Sequence, residues 1–275
     1  METNNSFMSL EETQKSELRV MKELHAFCEK HGLKYSLAEG TLLGAIRHKG
    51  FIPWDNDIDI FMPCKDVEKL LEISKREAVG PDIQLFSHED HQNFHYNIVR
   101  ACDMRTVVTP SYLRVPIEGM GVWVDIYPVC GFNRALYIIQ KPLAWFFIML
   151  LNANLYNIPP QRKLRYIIQR IVLRFFPDRN HKYEKALAKI QNWCDYKRAK
   201  YVIQFAETHV QPKHAIKKTD IENPYLIDFE DTKFYSMQNP EKLLIADYGD
   251  YMKLPPEDKR QTHDICARWK YKDMT

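Results

Sequence analysis

Asp57 and Asp59, separated by a single isoleucine, are the residues whose type and spacing point most directly to chemistry. On a strand alternate side chains share a face, so these carboxylates would lie about 6.5–7 Å apart while Ile58 and Ile60 turn the other way. Like charges so close repel and need a counter-charge. A hard divalent cation supplies one, because Mg²⁺ takes oxygen ligands and commonly combines one or two carboxylates with phosphate oxygens. The plain alternative, for these two residues taken alone, is a solvated strand face that alternates Asp and Ile.

Three neighbours favour the metal reading. Gly40-Thr41 falls between a predicted strand and a predicted helix, where bare backbone and a hydroxyl can approach a phosphate at a helix N-terminus. Arg47, His48 and Lys49 follow one helix later and offer cationic partners for phosphate oxygens. Asp125 is the only charge in Val122-Trp123-Val124-Asp125-Ile126-Tyr127, and a carboxylate among bulky apolar residues is costly unless paired or metal-bound. Three carboxylates on adjacent strands can hold one or two metals and orient an attacking hydroxyl.

The elements that must position these groups read as a mixture. Glu11 to Lys30 has Leu18, Met21, Leu24, His25 and Cys28 at helical steps, and Gly32 suits the left-handed cap that ends a helix. Leu33 to Ala38 is expected to be a short strand, Thr41 to Arg47 a short helix, Ile58 to Met62 a strand, and Asp66 to Glu77 a helix ended by Gly80-Pro81. Ile83 to Phe86, Tyr96 to Cys102 and Val122 to Tyr127 read as further strands. The expected fold class is mixed α/β, divided into a catalytic core over 1–132, a helical apolar and basic insertion over 133–200, and an extension over 201–275 that packs on the core.

Composition sets bounds. With 275 residues, 45% hydrophobic and 27% charged, the chain reads as globular rather than disordered. A net charge of +3 is too mild to imply nucleic-acid binding, so no nucleic-acid partner is expected. The six cysteines are scattered, without a C-x-x-C pair, and read as reduced thiols. Met1 to Lys15 is polar and acidic with no apolar signal region, and a cytoplasmic protein is expected.

The middle adds a membrane expectation. The continuous apolar run Leu143 to Leu151, interrupted by Asn152 and Asn154, is shorter than the roughly 20 residues a spanning helix needs. After it, Leu164, Ile167, Ile168, Ile171, Val172 and Phe175 form one helical stripe with Arg162, Arg165, Arg170 and Arg174 off it. A basic amphipathic helix beside an aromatic apolar one suits peripheral contact with an anionic membrane surface on the inner face; two helices packed on the core with solvated arginines are the alternative. Tyr35, Trp54, Tyr96, Trp123 and Tyr127 read as core aromatics. Arg100 and Arg105 read as phosphate partners or surface charge, and His88, His91 and His95 as loop histidines.

Glu39-Gly40-Thr41-Leu42-Leu43-Gly44-Ala45-Ile46-Arg47-His48-Lys49-Gly50-Phe51-Ile52-Pro53-Trp54-Asp55, followed by Asp57-Ile58-Asp59-Ile60, resembles the LicD-type phosphotransferases, relatives of fukutin and the fukutin-related protein. The resemblance continues at Val124-Asp125-Ile126-Tyr127-Pro128 and at Tyr248-Gly249-Asp250-Tyr251-Met252-Lys253-Leu254-Pro255-Pro256-Glu257. It implies a nucleotidyltransferase-like small mixed sheet flanked by helices. It further implies metal-dependent transfer of a phospho-alcohol group, phosphocholine being the best-known case, from a CDP-activated donor to a hydroxyl of a cell-surface glycan or its lipid-linked precursor. Mg²⁺ or Mn²⁺ is the implied cofactor, Asp57, Asp59 and Asp125 the implied metal and catalytic residues, and Gly40, Thr41, Arg47, His48 and Lys49 the candidate substrate-binding ones. The family usually reads Trp-Asp-Asp-Asp-Ile-Asp-Ile; here Asn56 stands in the middle, on the Ile58–Ile60 side by strand parity. Two rival readings are an Asp-x-Asp metal-dependent glycosyltransferase and a non-catalytic membrane-surface binding protein.

Overall fold

The computed structural model describes residues 6–110, 113–114, 116–156, 163–260, 262 and 266–271, the side chains of Lys163 and Arg165 excepted. Helix α1 (Leu10–His31) starts on a capping box in which the Ser9 hydroxyl accepts the Glu12 N–H and the Glu12 carboxylate accepts the Ser9 N–H. It ends at Gly32, whose φ of 63° is the left-handed cap expected there. Its inner face buries Val20, Met21, Leu24, Phe27 and Cys28 against the sheet.

The sheet is built around β6 (Val122–Phe132). On one side it pairs in parallel with β2 (Ile58–Pro63), whose far edge takes β1 (Ser36–Leu37) antiparallel. On the other side it pairs antiparallel with β4 (Val99–Asp103), and β3 (Ile83–Phe86) follows. The later half of β6 also pairs with β7 (Tyr201–Gln204), which carries β8 (Ile216–Lys217). Helices α2 (Glu39–His48) and α3 (Cys64–Ser74) complete a mixed sheet flanked by helices, as expected. The last expected strand is extended: β6 runs on from Tyr127 to Phe132 because Val129 and Cys130 are also buried and find a new partner in β7.

Two expectations are corrected. Cys64 and Cys130 form a disulfide, whereas Cys28, Cys102 and Cys194 are free thiols. The pairing of β2 with β6 puts Pro63 beside Val129, so the next residues, 66 apart in sequence, meet with their Cα atoms 5.3 Å apart. The apolar run read as too short to span is part of α4 (Arg134–Leu155), a 22-residue helix about 33 Å long that continues through Asn152 and contains Pro142. By length and composition α4 could cross a membrane, yet 39% of its most apolar stretch is buried in the protein. It packs on α5 (Lys163–Phe175) and α6 (Lys182–Gln191) through Tyr137, Ala144, Ile148, Leu151, Leu173 and Leu187.

Most of the apolar stripe of α5 faces outward, with Val172 packed against that cluster. Leu164, Ile168, Ile171 and Phe175 are exposed, and Leu173 provides the buried contact. Arg162, assigned to the polar face, lies outside the described residues. Towards the C-terminus, α7 (Lys218–Glu222) leads into the hairpin β9 (Tyr225–Phe229) and β10 (Thr232–Ser236), which lies against β1 and α2. After α8 (Glu241–Tyr248), β11 (Ala267–Trp269) pairs with β5 (Thr106–Val108).

Candidate active site

The first turn of α2 is sewn to the strand that carries the aspartates. The Thr41 hydroxyl accepts the Asp59 N–H at 2.8 Å and donates to the Asp57 carbonyl at 3.4 Å, while the Ala38 N–H donates to the Asp59 carbonyl at 2.9 Å. Buried Thr41 therefore fixes the backbone under both carboxylates. At Gly40 a Cβ atom would come within 2.9 Å of Asp55 Oδ2, so glycine lets the start of α2 pass against that carboxylate.

Asp59 and Asp125 are partners in the parallel register of β2 and β6, and Asp125 pairs in turn with Arg100 on β4. One row across three strands thus carries two acids and a base. Arg100 donates from Nε to Asp125 Oδ1 at 2.7 Å and from Nη2 to Oδ2 at 3.4 Å, and the Trp123 indole donates to Oδ2 at 3.1 Å. The guanidinium lies between the rings of Tyr96 and Trp123, 4.3 and 4.1 Å from their centroids. Arg100 is buried, so of its two readings the structure supports neither a surface charge nor an uncommitted phosphate partner.

The remaining acids crowd together. Asp57 hydrogen-bonds Asp55; burial, then Asp55 and Asp125, push its pKa up to about 8. Asp59 is raised by burial, then by Asp57, Asp125 and Glu39. Two acids unread in the sequence join them. Half-buried Glu39 is pushed up to about 8 by burial and by Asp247 and Glu207. Glu17 on α1 is fully buried, and neither carboxylate oxygen has a hydrogen-bond partner. Burial and the nearby Asp57, Asp55 and Asp125 raise it strongly. Its signal was in the sequence: Glu17 occupies the Met21-Leu24-Cys28 face of α1, where a charge is out of place.

Gly40, Thr41, Asp57, Asp59 and Asp125 are thus gathered in one place. Arg47, His48 and Lys49 are not: they close the opposite end of α2, roughly 12 Å along its axis from Thr41 to Lys49. There Arg47 donates to the Tyr251 carbonyl at 2.8 Å and to His48 Nε2 at 2.9 Å, tying α2 to the C-terminal segment. Lys49 is the exposed residue in the left-handed cap of the helix. Asn56 is buried and lies two residues before β2.

With this geometry in place, likeness to known proteins becomes informative. Residues 32–135 match the family model described as LicD/FKTN/FKRP, nucleotidyltransferase domain. The segment contains α2, the aspartate strand and Asp125. The chain is 28% identical over 263 residues to the lipopolysaccharide cholinephosphotransferase LicD of Haemophilus influenzae, covering 94% of this chain and 97% of that protein. A shorter stretch of 65 residues is 37% identical to the human ribitol 5-phosphate transferase FKRP, 22% of this chain and 13% of that one. The LicD resemblance read from the Gly40–Asp59 and Asp125 blocks is therefore borne out.

Proposed function

From a chain whose residues 32–135 carry a LicD/FKTN/FKRP nucleotidyltransferase domain, we propose a transferase that moves a phospho-alcohol group, phosphocholine-like, from a CDP-activated donor to a glycan hydroxyl. The observation that supports it most is the row Asp59–Asp125–Arg100 beside Asp57, set against the bonded first turn of α2. Both relatives named above are transferases of a phosphate-bearing alcohol, one of them acting on a lipopolysaccharide.

The residues fit a hard divalent ion. Asp55 and Asp57 share a hydrogen bond between carboxyl groups, which requires a proton, and Asp59 is buried among four acids. An all-oxygen set with excess negative charge suits Mg²⁺ or Mn²⁺ and not a softer, thiolate-seeking metal. Asp57 and Asp59 would hold it, with Asp125 as a third oxygen donor. Bound there, the ion would offset charge on the donor phosphates as the nucleoside monophosphate departs. Thr41 keeps the two carboxylates in register. Arg100 holds Asp125 by both oxygens, which suits an orienting ligand better than a proton acceptor.

The acceptor's surroundings are part of the same reading. On α4, Ile138, Ile139, Trp145 and Phe146 are exposed, and on α5 so are Leu164, Ile168, Ile171 and Phe175, with Arg174 exposed among them. Apolar side chains with interspersed arginine match a surface of anionic lipid, where a lipid-linked glycan would be presented. The test of the chemistry is nucleotide release from CDP-choline, CDP-ethanolamine, CDP-glycerol and CDP-ribitol, with Mg²⁺ or Mn²⁺ and with chelator. CMP released from one donor only when the ion is present is expected. Release of a nucleoside diphosphate from a nucleotide-sugar instead would make the enzyme a glycosyltransferase.

A further inference from the structure

Away from the aspartates, one cluster among the described residues already has its ligand atoms together. Single atoms from His95, His181 and Glu184 lie within 4.8 Å of one another. His95 belongs to the connection between β3 and β4, the stretch read as carrying only loop histidines. Its partners come from the segment that opens α6, in the order Asp178-x-x-His181-x-x-Glu184, with His181 capping the helix and Glu184 in its first turn. His95 Nδ1 is 2.7 Å from Glu184 Oε1 and 3.5 Å from Asp178 Oδ2, and His181 Nδ1 is 3.1 Å from Glu184 Oε1.

The buried carboxylates of this cluster need a counter-charge. The side chains of Asp178 and Glu184 are 1% and 0% exposed, so two carboxylates are buried side by side. Glu184 Oε2 and Asp178 Oδ2 are buried without a hydrogen-bond partner. Leaving such an atom unsatisfied costs on the order of 1–3 kcal/mol, more when it is charged. Protons on His95 and His181 are one way to offset the two carboxylates. A divalent cation offsets both and occupies the unused lone pairs. Two imidazole nitrogens with a carboxylate oxygen are donors that zinc takes, leaving a fourth position open, and they are too nitrogen-rich for Mg²⁺.

We propose that His95, His181 and Glu184, with Asp178 beside His95, form a structural site for a zinc-class divalent cation, separate from the aspartate row. Its place explains what it does. His95 also lines a cavity of about 300 Å³ shared by Tyr96, Arg100, Tyr127 and Glu207. The ion would clip the helical segment onto the loop that walls this cavity, next to the arginine that holds Asp125.

The experiment uses the full chain, stripped of metal and titrated with Zn²⁺ and with Co²⁺. One equivalent of Co²⁺ showing the intense visible absorption of a four-coordinate nitrogen and oxygen site is expected. The Asp57→Asn/Asp59→Asn double variant should retain that spectrum. His181→Gln and Glu184→Gln, each checked for native circular dichroism, should weaken binding by more than about 100-fold. Wild-type protein that takes up no stoichiometric Zn²⁺ or Co²⁺ at micromolar concentration would overturn the site. So would folded His181→Gln and Glu184→Gln variants that bind as the wild type does, or a spectrum lost in the aspartate double variant. Because the wild-type spectrum and stoichiometry stand alone, the proposal is testable even if a ligand variant misfolds.

Discussion

Asp59 and Asp125 sit opposite one another on parallel strands β2 and β6, and Arg100 continues their row on β4. In sequence Asp59 and Arg100 are 41 positions apart and Asp125 lies 25 beyond Arg100, yet in the sheet Asp125 stands between them. The order in space matters. Arg100 neutralises the middle acid, and within the row Asp59 stands next to that acid rather than to the base.

Removing the guanidinium should therefore cost twice. Arg100→Met leaves Asp125 buried with only the Trp123 indole, and a buried ion pair broken on one side typically loses about 3–5 kcal/mol. Arg100→Lys keeps the charge but loses the two-pronged bond and the stacking on Tyr96 and Trp123, so its stability should fall between the two. Urea melts measure both, and a Lys variant as unstable as the Met variant would mean that charge is not what Arg100 contributes.

Asp59→Asn should separate stability from activity. A carboxyl raised in the folded chain stays protonated there, while in the unfolded chain it ionises above its ordinary value of 3.8. The folded state then binds more protons, so stability falls as pH rises from that value towards the raised one. In chelator, Asn should therefore stabilise the protein by at least about 1 kcal/mol at pH 8, with a smaller gain at pH 5. With Mg²⁺ or Mn²⁺ the wild type should regain stability and the variant should not, and nucleotide release should be lost. Equal melts for both proteins at both pH values would contradict the crowding of acids described above.

Thr41→Val keeps the shape of the side chain and removes its hydroxyl. The Asp59 N–H is buried and would lose its 2.8 Å acceptor, a loss of about 1–3 kcal/mol. Activity should fall with it, because the strand under both carboxylates is no longer pinned to α2. A variant with normal turnover and lowered stability would limit Thr41 to a structural part.

Much of this was legible from one dimension and some was not. The Gly-Thr step and the apolar periodicity of α1 are local patterns that map onto the elements expected of them; of the Asp-x-Asp pair, Asp59 lies on β2 and Asp57 immediately precedes it. Strand edges were less exact: the stretch from Tyr96 begins its strand only at Val99, because Tyr96 leaves the sheet to stack on Arg100. What could not be read is pairing at a distance. Arg100 with Asp125, Cys64 with Cys130 and His95 with Glu184 meet only through strand order or helix docking, for which neither member of a pair carries a signal. The outward turn of the α5 stripe is of the same kind: periodicity gives a helix an apolar face but not the neighbour it meets.

Asp103 offers a prediction independent of the active site. This buried acid on β4 receives the Ser16 hydroxyl at 2.8 Å, pairs with Arg19 at 2.7 Å and with Arg105 at 2.8 Å, and so clamps α1 to the sheet. Burial by itself would raise it, but the bonds from Arg105, Ser16 and Arg19 hold it below its ordinary value. Its contribution is then complete above the unfolded value of 3.8 and lost as pH falls through the lower folded one. Asp103→Asn should destabilise the protein at pH 7 by about 3–5 kcal/mol, and the gap to wild type should narrow below pH 4. A constant difference across that range would show that the charge of Asp103 is not involved.

The outer face of α4 and α5 makes the last prediction, and it concerns where the reaction is carried out. Ile168 and Ile171 are 53% and 52% exposed on α5, and neither is needed for the packing of Leu173 against the cluster beneath. Wild-type protein should float with vesicles containing anionic lipid and remain behind with neutral ones, since both apolar burial and positive charge contribute to such binding. Arg174→Gln should weaken binding about fivefold, the equivalent of about 1 kcal/mol for one basic residue at an anionic surface. Ile168→Glu/Ile171→Glu should abolish flotation while leaving nucleotide release from a soluble donor unchanged, because the carboxylate row is on the sheet and not on these helices. Wild-type protein that fails to float would remove the membrane from the account, and flotation unaffected by both variants would move the contact away from this face.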